Sequence, residues 1–343
     1  MSAEPPGLTY AAAGVDPDAA DQAVARIAPH AARTARPEVL GGIGGFGGLF
    51  ALDIARYRAP VLVTATDGVG TKLELARALG RHRSVGLDLV AMVVDDLVVL
   101  GAEPLLFLDY LAVERLDPDH VEQVVAGIAD GCALAGCALV GGETAEHPGV
   151  LPAGAYDVAG FGVGVVERDA LLGPGRVRPG DTVVAMASTG AHSNGYSLAR
   201  RIVAGLDLAE HHGLDQPLGA ALLVPTRIYA PDCLALIAEV EVHALCHVTG
   251  GGIPGNLPRV LPEGLGAVID TAGFAVPPVL RLLQRLGGVA EAEMWRTFNM
   301  GAGMLAVSPE PDAALALLAA RGVRAWPCGQ VVEAEGVTLA GLP

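Results

Sequence analysis

The sequence predicts an α/β (α+β) protein of two domains, divided as 1–170 and 171–343, and three observations carry that reading. Its 343 residues are enough for two substantial cores. Short apolar runs pass repeatedly through glycine-rich turns into helix starts, first where residues 60–65 lead into Thr66-Asp67-Gly68-Val69-Gly70-Thr71-Lys72. Between residues 168 and 180, five positions are Gly or Pro, the composition of an inter-domain connection.

Taken in order, residues 8–15 read as an irregular or extended arm. Asp16-Pro17 then opens a helix to about residue 35, with Asp as N-cap and Pro at the first helical position. In the glycine loop at 41–48, Gly42, Gly44 and Gly47 have GxGxxG spacing. No strand precedes them and no clear helix follows, so a Rossmann unit is rejected. What remains is a loop whose amides can close over phosphates, or a plain flexible loop. Residues 85–100 form a helix that is apolar almost all round and hence buried. A strand at 104–113 carries Asp109 within its apolar run. Asp117-Pro118 opens a helix to 135, and the strand at 137–140 ends at Gly141-Gly142-Glu143. A strand at 156–166 closes the first half.

The second half opens with a strand at 182–187 and a loop at 188–195 before a helix from Tyr196. A helix at 231–240, a strand at 242–248 and the run Thr249-Gly250-Gly251-Gly252 follow. The tail of strand, helix and strand (304–307, 312–321, 323–332) reads as a split β-α-β unit.

Composition excludes several classes of function. The net charge of −16, from 22 bases and 38 acids with no basic cluster, argues against a nucleic-acid surface. Five cysteines without a CxxC pair suit reduced thiols in the cytoplasm and make structural zinc unexpected. Residues 1–6 have neither the charge nor the apolar core of a secretory signal. No uninterrupted apolar run reaches the roughly 18 residues that mark a membrane span.

Several residue types point to chemistry. Lys72 is the only lysine among the 22 strong bases, which suggests a place where a compact ammonium is needed and a broad guanidinium will not serve. Asp95 and Asp96 stand side by side in a buried helix, so at least one must meet a cation or a set of donors. They either cap a neighbouring loop or bind Mg²⁺ with Asp67, since hard oxygen ligands suit that ion. Asp109 either pairs with an arginine or joins the same polar site. Glu143, after two glycines at a strand's carboxyl end, lies where α/β proteins place ligands. His192, between strand and helix, either donates to a phosphate or shuttles a proton, or it merely caps the helix. Ser193 lacks the GxSxG elbow of a hydrolase nucleophile. Gly250 to Gly252 leave backbone amides free for an anion.

The blocks GGIGGFGGLF, TDGVGTK, DDLVVLGAEPLLFLDY, GGETAE, YDVAGF, HSNGYSLAR, PTRIY, HVTGGG and FNMGAGM run from Tyr10 to Gly329. In that order they resemble the aminoimidazole ribonucleotide synthetases, also called phosphoribosylformylglycinamidine cyclo-ligases, of purine biosynthesis. The resemblance implies a two-domain fold whose N-terminal sheets join across a homodimer, with a C-terminal mixed sheet and helices. It implies ATP and Mg²⁺ as cofactors and an open-chain formylglycinamidine ribonucleotide as substrate. It further implies a reaction in which ATP phosphorylates the amide oxygen and the neighbouring amidine nitrogen then closes the ring, releasing ADP and phosphate. Phosphoryl transfer of this kind is mostly positioning and charge neutralisation.

By the same resemblance, Gly44, Gly45 and Gly47 cover the nucleotide. Lys72, Asp67, Gly68 and Thr71 address phosphates and metal, and Asp95, Asp96 and Glu143 complete an acid cluster. His192 and Asn194 face the reacting amide or its phosphoryl group, and Thr249, Gly250, Gly251 and Gly252 take the substrate phosphate. The chain departs from the family pattern at Ala28, where a lysine is common, at Asp95, where Asn is common, and at His147 and Ile253. Two alternatives stand beside this reading. One is a related phosphorylating enzyme, disfavoured because no cysteine precedes Cys132. The other is a non-catalytic nucleotide-binding paralogue.

Overall fold

A computed structural model describes residues 9, 10 and 13–342; the rest of the expected N-terminal arm and residues 1–6 lie outside the described residues. The first helix is α1 (Pro17–Ala32), and the Asp16 carboxylate accepts from the amides of Asp18 and Ala19. It ends three residues earlier than its composition suggests. Then come β1 (Pro60–Gly68), α2 (Lys72–Leu79), α3 (Arg83–Val98), β2 (Glu103–Val113), α4 (Pro118–Ala135), β3 (Ala138–Glu146) and β4 (Tyr156–Glu167).

These strands form one sheet in the order β1-β4-β2-β3, with only β2 and β3 parallel. α1, α3 and α4 pack on one face. α3 is buried along most of its length because its neighbours approach very closely. A Cβ at Gly127 of α4 would overlap the Arg83 carbonyl, and one at Gly86 of α3 would overlap the Val124 carbonyl. Strand β3 is longer than expected: Gly141, Gly142 and Glu143 pair with Leu108, Asp109 and Tyr110 instead of forming a loop. The other face of the sheet is apolar yet open, with Leu62 60%, Phe161 43% and Tyr110 36% exposed.

The second half contributes β5 (Thr182–Ala187), α5 (Tyr196–Ile202), α6 (Leu218–Leu222), α7 (Ala230–Glu239), β6 (Ala244–His247), α8 (Gly252–Asn256) and β7 (Gly266–Asp270). Beyond these lie α9 (Pro278–Gly287), α10 (Glu291–Thr297), β8 (Ala302–Ser308), α11 (Pro311–Ala320), β9 (Ala325–Val332) and β10 (Gly336–Ala340). The six strands form a mixed sheet in the order β10-β7-β9-β5-β8-β6. β5 lies between β8 and β9, so β8-α11-β9 is the split unit the tail predicts. β8 is buried at every position, as a central strand covered on both faces must be. β7, α9, α10 and β10 have no counterpart in the sequence reading.

Candidate functional site

The two halves meet along α3. Lys72 opens α2 immediately after the glycine turn, but its side chain is wholly buried. Its ammonium Nζ lies 2.9 and 2.8 Å from the two oxygens of Asp88 and donates to the carbonyls of His192 and Val224, each at 2.9 Å. Asp88 Oδ1 also accepts from the Thr226 amide and hydroxyl, both at 2.7 Å. One turn pair further along α3, Asp95 Oδ1 accepts from the Tyr229 and Ala230 amides at 2.8 and 2.9 Å, which anchors the start of α7. Burial pulls the Lys72 pKa down despite Asp88. Burial also pushes the Asp95 carboxyl up to about 7, against its two amide donors.

Two expectations are therefore corrected. Lys72 does not face a phosphate, because its donors are spent on Asp88 of its own half and on the His192 and Val224 carbonyls of the other. A compact ammonium is needed here, since three acceptors crowd around one nitrogen, but the need is architectural. Asp95 does not join a metal cluster, because its carboxylate holds a helix start. The capping alternative describes it.

His192 also differs from expectation. It is 1% exposed, has a positive φ of 60°, and its Nε2 accepts from the Thr189 amide at 3.2 Å. Burial, then the nearby charges of His247, Lys72 and Arg227, hold its pKa well below the ordinary value. It serves as the fixed corner of a loop, since the fold closes over its ring. Beyond that corner Asn194 is half-buried, and its Oδ1 would stand 3.5 Å from a Cβ at Gly250. The run from Thr249 to Gly252 wraps around Asn256, whose Nδ2 donates to the carbonyls of Thr249, Gly250 and Gly252 at 3.3, 3.2 and 2.9 Å. Those bonds occupy carbonyls and leave the exposed Gly250 and Gly251 turned to solvent.

Asp67, at the end of β1, and Asp96 lie within electrostatic reach of each other. Burial, and then Asp96, raise the Asp67 pKa. Gly68 donates its amide to Asp67 Oδ1 at 2.7 Å, and Thr71 Oγ1 meets Ser197 Oγ across the boundary at 3.2 Å. Asp96 is half-exposed and its Oδ1 accepts from His247 Nδ1 at 2.9 Å. Burial opposes charge on His247, but the bond to Asp96 and the nearby carboxylates outweigh it and raise its pKa. The His247 Nε2 is buried without a partner. Among the described residues, no three His, Cys, Asp or Glu stand close enough to form a complete metal cage. A like-charged, half-buried carboxylate pair still fits Mg²⁺, which takes one or two protein carboxylates and fills its shell with water and substrate phosphates.

Glu143 stands apart from that pair. Asp67, Gly160, Asp109 and Gly142 are in register across the sheet, whereas Glu143 pairs with Tyr110 and so points to the opposite face. With three strand spacings between β1 and β3, it does not complete the Asp67–Asp96 cluster. Instead it lines a cavity of about 570 Å³ under the glycine loop, together with Gly44, Gly45, Gly47, Asp109 and Tyr110. Side chains at Gly44 or Gly47 would meet nothing within 4 Å, so the loop is open above the cavity. Among the described residues Asp109 has no arginine partner. Asp88 and His247 were not singled out in the sequence; Asp88 lies two helical turns before Asp95, a spacing that marks a shared helix face.

Comparison with known proteins agrees with this architecture. The family description "AIR synthase related protein" matches through its N-terminal domain at residues 53–166 and its C-terminal domain at 178–341. A phosphoribosylformylglycinamidine cyclo-ligase of Myxococcus xanthus (strain DK1622) is 56% identical over 337 residues, covering 96% of this chain and 97% of its own. The thiamine-monophosphate kinase of Stenotrophomonas maltophilia K279a shares the fold at a TM-score of 0.71 and 22% identity, covering 94% of this chain and 96% of its own. A hydrogenase maturation protein HypE solved in complex with ATP does so at a TM-score of 0.67 and 20% identity, covering 94% and 91%.

Proposed function

The chain belongs to the AIR synthase related family and within it to the phosphoribosylformylglycinamidine cyclo-ligases, and we infer from that membership that it performs their ring closure. It converts formylglycinamidine ribonucleotide and ATP to aminoimidazole ribonucleotide, ADP and phosphate in purine biosynthesis. The observation that carries this reading is 56% identity along nearly the whole of both chains.

In this reading residues 1–170 hold ATP and the dimer contact, and residues 171–343 hold the ribonucleotide. Gly44, Gly45, Gly47 and Glu143 border the cavity assigned to the nucleotide, and a fold shared with a protein solved in complex with ATP supports ATP as the ligand. Asp67 and Asp96 hold Mg²⁺ against the phosphates, next to Gly68 and Thr71 at the turn. When bound, the ion neutralises charge on the transferring phosphoryl group. Thr249, Gly250 and Gly251 offer amides to the ribonucleotide phosphate, while the Gly252 amide closes the turn on the Thr249 carbonyl at 3.0 Å; Asn194 stands over Gly250 near the reacting amide. Lys72 and His192 act from behind: the Lys72–Asp88 pair grips the His192 carbonyl and so sets where Asn194 stands. The open apolar face around Leu62 and Phe161 supports a homodimer. Five free, buried cysteines support a cytoplasmic setting, and among the described residues no helix is long and apolar enough to cross a membrane.

The test is ADP release with and without the formylglycinamidine ribonucleotide, alongside colorimetric detection of the aminoimidazole. ADP that appears only with the ribonucleotide is expected. Equal ADP release without it, or none under either condition, contradicts the reading.

A further inference from the structure

We propose that Asp109 anchors the nucleobase of bound ATP in the inner part of the glycine-loop cavity; this rests on the reading above that the cavity takes the nucleotide. Three observations converge on it. The cavity, about 570 Å³, suits a nucleoside-sized ligand. Much of its lining is apolar, with Ala20, Ala23 and Ile27 of α1 and Leu139 and Val140 of β3. Such walls grip a flat ring on its faces and leave one polar group to fix its edge.

Asp109 is that group. It lines the cavity yet is only 7% exposed, and among the described residues it has no basic partner and its own backbone amide is the one donor to its carboxyl. The neighbouring strand keeps the space for it. Gly142 is its register partner on β3, and a Cβ there would overlap Asp109 Oδ1. Burial pushes the Asp109 carboxyl up to about 7, so near neutrality it carries a proton for much of the time. A neutral carboxyl presents a donor and an acceptor side by side. Its O–H donates to ring N1 of adenine while its carbonyl oxygen accepts from the 6-amino group.

Calorimetric titration without the ribonucleotide, so that no turnover occurs, tests the inference. ATP is compared with purine riboside triphosphate, which lacks the 6-amino group, on the wild-type chain, Asp109→Asn and Asp109→Leu. The wild type is expected to bind ATP about 3- to 10-fold more tightly than the analogue, the value of one neutral hydrogen bond. Asp109→Asn, which keeps a donor and an acceptor, retains that preference, and Asp109→Leu binds both ligands equally. Equal affinities on the wild type overturn the proposal and need no variant to fold. A preference that survives in Asp109→Leu overturns it as well, while ring closure by the wild type would still stand. Failure of the wild type to bind ATP at all overturns both readings.

Discussion

The boundary along α3 and the cavity under the glycine loop use the same materials, carboxylates, glycines and a strand end, to opposite effect. At the boundary Lys72, Asp88 and Asp95 are all committed. Lys72 spends its donors on Asp88 and two carbonyls, and Asp88 and Asp95 each hold backbone amides of the second half. At the cavity the groups are idle: among the described residues Asp109 lacks a basic partner, and Gly42, Gly44 and Gly47 have open space above them. The contrast teaches that a charged residue in a motif becomes frame or site according to what the fold packs against it. Five substitutions sharpen or break that contrast.

The largest effect is expected from Lys72→Ala, which leaves Asp88 buried and unpaired. Removing one partner of a buried pair costs about 3–5 kcal/mol, so urea unfolding should show a loss of that order, with activity falling as a consequence. A variant that is inactive but as stable as the wild type would return Lys72 to the cleft.

The cavity acid should instead show itself through pH. The folded Asp109 pKa, about 7, lies above its unfolded value, so the protonated form is favoured by folding. That contribution is complete at low pH and fades as pH rises from roughly 4 toward 7, by at most about 4 kcal/mol. Relative to Asp109→Asn, the wild type should lose thermal stability over that interval and no further above it. A flat difference in Tm between pH 4 and 8 would mean that Asp109 is ionised throughout.

The adjacent acids separate the two regions at single-residue resolution. Asp96→Asn should raise the Mg²⁺ concentration needed for activity by on the order of tenfold or more, and weaken Mn²⁺ binding seen by electron paramagnetic resonance. Asp95→Asn should leave both nearly unchanged and cost about 1–3 kcal/mol of stability, since its carbonyl oxygen still accepts both amides while its NH2 is buried at the place of Oδ2, which has no partner among the described residues. Equal effects on metal binding would dissolve the division.

Much of this was legible in the sequence. The Asp16-Pro17 and Asp117-Pro118 helix starts carry their own capping chemistry, and the split unit at the tail follows from alternating apolar runs. The role of Lys72 was not legible, because a lone lysine after a glycine turn reads the same whether its partner is a phosphate or Asp88. The difference is made by Val224 and Thr226, more than a hundred residues away. Glu143 was misplaced for a related reason. Gly141-Gly142 looks like a turn, yet both residues pair in β3, and that pairing turns Glu143 to the far face. Short, weakly patterned β7 and α10 escaped because their burial comes from neighbours rather than from their own periodicity.

The smallest substitution effect should come from Gly251→Ala. A methyl there faces the positive φ of 99° and the open side of the loop, with nothing nearer than 3.4 Å. The KM for the ribonucleotide should rise several-fold while the KM for ATP stays nearly constant. A larger change for ATP would exchange the roles of the two glycine loops.

Hydrogen–deuterium exchange with and without a non-hydrolysable ATP analogue tests the contrast between frame and receptor most directly. The account predicts slow exchange at residues 72–76, 88–95 and 226–230 in both states, with new protection confined to the glycine loop at 41–48, the strand around Asp109 and the turn at 67–71. New protection at the boundary segments, with the glycine loop unchanged, would contradict it.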